Sequence, residues 1–362
     1  MCSSNIKSEM KKPYKIPFLA FNVLRSFFSH QIAAFRLLLV ARCSRFSAFS
    51  SRLLALSLLF TSFFLFNCSS SIAQQDPQFN QYFFNPLGIN PAYAGSRGML
   101  SAVAIHRTQW VGFEGAPSSQ AFAIHAPTKD KKMGLGFQLM NDVIGPKTTT
   151  AISGVYAYKV RINRGRLGFG LRASLYNYTF RWDEIEYRDN SNYGSIERGR
   201  ENYLTPSFDF GMYYSDRKNY IGFELTHLNE GKLGIEGDNV NIESTARQEA
   251  QAIITAGRAF RLNRYVIFKP SVLIKTANNR PAFIDVNASV LLKEKLWLGM
   301  SYRRGYGAVA ILEYNINRSL RIGYSYDISL TELSRRNGGS HEIFIGYDLN
   351  VFRSPIVSPR YF

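Results

Sequence analysis

Cysteine is the scarcest chemistry in this chain: of 362 residues only Cys2, Cys43 and Cys68 carry a thiol. Everything after residue 68 can therefore form no disulfide, thiolate metal site or cysteine nucleophile. Histidine is almost as thin. His106, His125, His227 and His341 are the four that follow the N-terminal region, and they stand at no metal-ligand spacing. There is no G-x-S-x-G elbow. The pairs Gly134/Gly136 and Gly168/Gly170 sit inside apolar-alternating runs with no helix to follow, which is no setting for a phosphate loop. An enzymatic reading would need a tight His/Ser/Asp cluster at a rim, and no motif announces one; neither a cofactor nor a metal is expected. Acids are outnumbered, 26 against 44 Lys and Arg, for a net charge of +18. Nine bases and one acid fall in the first 73 residues, so about +8 lies there and about +10 after it. The later charge is scattered through turns, whereas a nucleic-acid face needs a concentrated patch.

The chain also lacks an apolar run of the roughly 20 residues that a membrane-spanning helix needs. Leu53–Phe66 has 14 residues, follows Arg42, Arg45 and Arg52, and precedes small residues at Ser71 and Ala73. This is the pattern of a secretory signal cleaved after Ala73. Cys68 invites lipid modification, but Asn67 before it is polar where that processing prefers a small residue. Residues 1–52 read as an extension absent from the mature protein. A start codon assigned too early is one explanation, although no Met lies between Met10 and Met99. The expected segments are then 1–52 (extension), 53–73 (signal core and cleavage region), 74–98 (a docking or plug segment) and 99–362 (the main domain).

Aromatics make up 14% of the chain, with 28 Phe and 21 Tyr, a bias suited to strands and membrane-interface belts. From Met99 onwards a period of two takes over. Leu167, Phe169, Leu171, Ala173 and Leu175 alternate with Gly168, Gly170, Arg172, Ser174 and Tyr176 over Leu167–Tyr178. Helical spacing would smear the apolar residues around the circumference, whereas a strand puts them all on one face. Similar runs occur at Met133–Asn141, Thr148–Val160, Leu204–Tyr214, Asn219–Leu228 and Gln248–Phe260, and about fourteen can be counted by Phe352. Every second connection is short and mostly basic, as at Arg161–Arg166 and Lys293–Lys295. Thr179–Tyr203, Asn229–Arg247 and Ile328–Ser340 are long. Short periplasmic turns, longer external loops and an even strand number describe an all-β, transmembrane antiparallel barrel of about fourteen strands. Glycines within strands, such as Gly211, Gly222 and Gly323, would relieve its curvature. Asp209, Glu224, Asp285, Glu313, Asp327, Glu342 and Asp348 share strands with Arg172, Lys269, Lys275, Arg303 and Arg321. A lipid-facing Arg or Lys costs about 2–4 kcal/mol at mid-bilayer, so these charges should face inwards and pair.

One stretch obeys no period. Gln75–Gly98, QDPQFNQYFFNPLGINPAYAGSRG, carries three Asn, three Pro and five aromatics in 24 residues. Asn85-Pro86 and Asn90-Pro91 favour extended or turn backbone over helix. Aromatic side chains in an irregular segment require a surface that buries them. Phe79, Tyr82, Phe83, Phe84 and Tyr93, with Arg97, are therefore expected to pack on inward-facing residues, to close the periplasmic mouth or to meet a periplasmic partner. At the other end of the barrel the loop Thr179–Tyr203 offers Arg181, Trp182, Tyr187, Arg188 and Tyr193, the residue types that most often anchor interfaces.

This stretch, with RTQWVGFEGAP at Arg107–Pro117, KKMGLGFQLMNDVIGP at Lys131–Pro146 and SPRYF at Ser358–Phe362, resembles the PorP/SprF family of the Bacteroidetes type IX secretion system. The resemblance covers essentially the whole chain after the signal. It implies an outer-membrane barrel with no enzymatic activity that supports secretion or surface attachment of cargo such as gliding adhesins. The implied partners are the secreted cargo, periplasmic parts of the machinery and outer-membrane lipid. A porin or small-solute transporter is the alternative.

Overall fold

The computed structural model describes residues 76–184, 199–231, 247–278, 280–329 and 338–351. The signal run, the terminal Ser358–Phe362 and most of the three long connections lie outside them. Among the described residues fourteen strands build a single antiparallel sheet. They are β1 (Leu100–Thr108), β2 (Ser118–Pro127), β3 (Met133–Ile144), β4 (Lys147–Ile162), β5 (Gly165–Arg181), β6 (Arg200–Ser215) and β7 (Asn219–Thr226). Then follow β8 (Gln251–Arg258, continued past Ala259 by Phe260–Arg261), β9 (Val266–Ala277), β10 (Phe283–Leu292), β11 (Leu296–Arg303), β12 (Gly307–Asn315), β13 (Leu320–Ser329) and β14 (Ser340–Leu349). Each strand pairs with its sequence neighbours, and β14 returns to β1 in register from Leu100↔Leu349 to Thr108↔His341. The sheet is thus a closed barrel, and closure leaves no free edge.

Alternation dictates which side meets what. Leu135, Leu171 and Leu204 point outwards with 57%, 59% and 68% of their surface exposed. The inward positions include Arg107, Glu224, Glu313 and Glu342, all fully buried. A soluble sandwich has the opposite polarity. An apolar exterior around a polar interior is the arrangement of a barrel in hydrocarbon.

Five strands depart from the bounds that the alternation sets. β4, β5 and β6 run 16, 17 and 16 residues, longer than the 11 to 13 expected, because Thr- and Asn-rich ends extend the hairpins past the apolar belt. β7 stops at Thr226 rather than Leu228, since His227 adopts φ +54°. β8 begins at Gln251 rather than Gln248 and is interrupted at Ala259, whose N–H bonds Lys218 O across the sheet at 2.7 Å.

Candidate functional site: the occupied lumen

The segment ahead of β1 runs through the barrel. Asp76 lies beside His227, Gln251 and Lys275 near the long-loop end of the wall. Arg97 reaches Asp348 at the short-turn end. Between these points Asn80, Gln81, Leu87, Ala92 and Ala94 are fully buried, and Tyr82, Phe83, Phe84 and Tyr93 are buried too. Of the placements expected for the segment, packing on inward-facing residues is the one seen over most of its length: it runs from the loop end down the whole lumen before turning into β1. Its sequence has no period from which that direction could be read.

Its local structure follows from its two Asn-Pro pairs. Pro86 and Pro91 each open a single-turn 3-10 helix, Pro86–Gly88 and Pro91–Tyr93, where proline's missing N–H costs nothing. Asn85 precedes the first without capping it and is buried. Asn90 caps the second: its side-chain oxygen accepts Ala92 N–H at 2.9 Å. Its amide donates to Met212 O at 2.9 Å and Phe223 O at 3.1 Å, which ties the turn to β6 and β7.

Irregular backbone at membrane depth survives only where protein satisfies its polar groups. The lumen wall does so residue by residue. Glu342 accepts Asn80 N–H at 2.6 Å and Gln81 N–H at 2.9 Å. Gln138 donates to Leu87 O at 2.8 Å, and Arg172 approaches the same oxygen at 3.4 Å. His125 Nδ1 accepts Gly95 N–H at 3.0 Å. Much of the inward polarity therefore serves the inserted segment. The rest is mutual pairing, as the strand charges suggested: Arg107 with Asp327 at 2.6 Å, Arg303 with Asp285 at 2.7 Å, and Arg172 with Asp209 at 2.6 Å and with Glu224. The aromatics find partners as well. Phe84 packs near Trp297 and Phe344 at ring separations of 5.8 and 5.9 Å, and Tyr93 stands edge-on to Tyr213 at 5.3 Å. Phe79 is partly buried against the same cluster.

Four lumen glycines, of which only Gly211 is among those expected to relieve curvature, also make room for the inserted segment. A Cβ on Gly134 would strike Ala94 O, and one on Gly170 would strike Ala92 N. On Gly168 it would lie 2.8 Å from Ala92 O, and on Gly211 2.8 Å from Pro91 Cδ. β3, β5 and β6 thus present a bare track into which the second 3-10 turn and the residue after it fit. Sequence reading missed this role, because the alternation of Gly with Leu or Phe shows which face glycine takes but not what lies against it.

A cavity of about 150 Å³ remains in the loop-end half. Ile105, Ala123, Met140 and Ala151 line one side, and Asp76, Arg172, Glu224 and His227 the other. Further down, two spaces of about 30 and 10 Å³ hold a couple of waters at most, a water needing roughly 10–15 Å³. Burial pushes the Asp76 carboxyl up, but the His227 hydrogen bond and the His227, Lys275 and Arg172 charges outweigh it and hold the group well below the usual range.

Ser207 Oγ lies 2.8 Å from His227 Nδ1, whose Nε2 is 3.1 Å from Asp76. This is a serine–histidine–carboxylate chain, but Ser207 is fully buried and forms no part of the cavity wall. Its function here is to hold His227 for Asp76. Among the described residues no group of three or more His, Asp or Glu could hold a metal ion.

At the outer end Trp182 donates to Glu201 at 2.9 Å and stacks on Phe180, while Arg181 pairs with Glu184 at 2.8 Å. The structure thus engages these two locally. Tyr187, Arg188 and Tyr193 lie outside the described residues.

Comparison with solved structures finds barrels at low identity. The Acinetobacter baumannii outer membrane protein Omp33 is 6% identical, with a TM-score of 0.41 over 69% of this chain and 98% of its own. The CymD monoaromatic hydrocarbon channel is 9% identical, with a TM-score of 0.44 over 74% of this chain and 94% of its own. Comparison with curated protein sequences returned no match. The family model of the type IX secretion system membrane protein PorP/SprF matches residues 71–347, a span that takes in the inserted segment and all but the end of the barrel. By that match, this chain belongs to the PorP/SprF family of type IX secretion system membrane proteins.

Proposed function

We propose that the protein is a closed, non-enzymatic outer-membrane scaffold that supports secretion or surface attachment of type IX cargo, of the gliding-adhesin kind, and contacts the periplasmic machinery. The observation that carries this reading is the occupied lumen. A barrel whose interior is filled from the loop end to the turn end by its own buried segment, hydrogen-bonded to the wall along its length, is built to be held shut. The long loops would then meet cargo from outside and the short-turn end would face the machinery. A porin or small-solute transporter would require the segment to leave, breaking its contacts to Glu342, Gln138, Asn90's partners and Asp348.

Affinity purification of the barrel from its native membrane tests the proposal. Recovery of a secreted protein or of periplasmic type IX components supports it. Clean isolation without either, together with steady solute flux into proteoliposomes, sinks it. Deleting 185–198 and 232–246 should abolish cargo display while leaving the barrel in the membrane.

A further inference from the structure

The positive charge of the described barrel is concentrated at one end. The turn joining β4 and β5 carries Arg161, Arg164 and Arg166, and the turn between β8 and β9 carries Arg258, Arg261 and Arg264, with no acid in either. Each of the six short turns (127–132, 161–166, 215–218, 258–264, 293–295 and 317–319) is net positive; Asp130 and Glu294 each stand between two lysines, and Asp216 is followed by Arg217 and Lys218. Two of those acids are directed into their own turns. Asp130 accepts Thr128 Oγ1–H at 2.5 Å and Lys132 N–H at 3.2 Å. Asp216 accepts the N–H groups of Lys218 and Asn219 at 2.6 and 2.8 Å. Most of these bases are exposed; Arg258 lies on the outward face over Phe260, whereas Arg161, Arg166 and Arg261 take register positions on the lumen-facing side of their strand ends. The described part of the long-loop end has no such excess, with Glu114, Asp183, Glu184 and Glu201 set among Arg181, Arg200 and Arg280.

Two features say what this rim meets. First, the charge encircles the barrel instead of forming a patch on one side, so its partner must surround the barrel. Second, the bases are interleaved with outward apolar residues: Ile162 between Arg161 and Arg164, Leu262 between Arg261 and Arg264, and Tyr265 next to Arg264, with 40%, 64% and 59% exposure. Arg258 lies over the outward Phe260 ring at 5.1 Å. Side chains that lie within a residue of lipid-facing apolar groups sit at headgroup depth, where long basic side chains extend to phosphate.

We propose that the short-turn rim binds the anionic headgroups of the phospholipid leaflet around it, which is the periplasmic leaflet if the short turns take their usual side. The rim orders an annulus of acidic lipid and fixes the barrel's depth. The test uses the full mature chain in nanodiscs of phosphatidylcholine, alone or mixed with phosphatidylglycerol. Lipid retained by the barrel should be enriched in phosphatidylglycerol at least about fivefold over the bulk mixture, as expected when one or more bases contact each headgroup. That enrichment should fall steeply with added salt. The variant R164Q/R217Q/R258Q/R264Q/R318Q, which neutralises exposed bases in four of the six short turns, should lose most of the enrichment and keep its melting temperature in pure phosphatidylcholine. If it does not fold, the salt titration of the unaltered protein decides alone. No enrichment, enrichment indifferent to salt, or enrichment retained by the folded variant overturns the proposal. So does a variant that keeps its lipid preference but loses an acidic periplasmic protein, which would make the rim a protein-docking face.

Discussion

Replacing the lumen glycines should expel the inserted segment before it damages the barrel. Gly134 and Gly170 lie on β3 and β5, and a methyl group on either meets backbone of the Pro91–Gly95 region, at Ala94 O and Ala92 N. Overpacking a core ordinarily costs about 1–3 kcal/mol because side chains shift to absorb it. Here the obstructing atoms are main chain, held by the Asn90 cap and the Gly95–His125 bond, so each substitution should cost near the upper end. Docking of this lower half rests largely on burying Leu87, Tyr93 and the small residues beside them, at roughly 1.5–3 kcal/mol for each large side chain. One methyl group is therefore tolerable, whereas the pair G134A/G170A is comparable to the whole docking energy. Arg97 is the sole trypsin site between residues 76 and 98, and its side chain is only 12% exposed. Trypsin followed by mass spectrometry should show cleavage after Arg97 in the double variant and protection in the parent. The melting temperature should fall by several degrees, at roughly 2–4 °C per kcal/mol for chains of 150–250 residues. Gly154→Ala is the control: it faces outwards on β4 with nothing within 4 Å of its would-be Cβ, and should change neither readout. A double variant that melts like the parent with Arg97 still protected would mean that these glycines do not seat the segment.

Other consequences follow from the wall. Arg172→Ala leaves Asp209 and Glu224 buried without their cation, a loss of roughly 3–5 kcal/mol, and thermal melts should show Arg172→Lys recovering only part of it because the guanidinium fork is gone. Glu342→Ala orphans the Asn80 and Gln81 N–H groups and leaves Arg107 with less countercharge; at about 1–3 kcal/mol per unsatisfied buried group, protease protection of the segment's upper half should be lost first. The Asp76–His227 contact should be strongest between pH 3.8 and 6.5, the ordinary values of the two groups. Burial lowers the His227 value, but the Asp76 hydrogen bond and charge outweigh it and raise it, so its contribution is full below 6.5 and fades as pH rises through the raised value. Asp76 is depressed, so its contribution is full above 3.8 and is lost as pH falls through the lowered value. Labelling of a cysteine placed at Gln78, measured against pH, should pass through a minimum in that window. The same experiment in a His227→Gln background should be flat on the alkaline side.

The fold was legible because burial in a barrel is one-sided and period two reports it. The runs at β3 and β5 could be assigned from Leu and Phe alone. Where backbone conformation overrode pattern, as at His227 and Ala259, the strand ends could not be read. Inward pairing of charges was also legible, since the bilayer forbids them outside. What they pair with was less so. Glu342 and Gln138 look like lumen polarity in sequence, yet they satisfy the backbone of a segment more than fifty residues upstream. The Gln75–Gly98 stretch declared that it needed a surface, through five aromatics and two Asn-Pro pairs. Its course from loop end to turn end depends on long-range geometry that no local pattern encodes. Glycine was the least legible residue: absence of a side chain marks a close approach without naming what approaches.

Single-channel conductance in planar bilayers shows whether the barrel is held shut by its own inserted segment. The purified mature protein should be silent, and steady openings should appear once residues 76–93 are deleted. Stable conductance from the intact protein would contradict that closure, as would a folded deletion variant that passes no current.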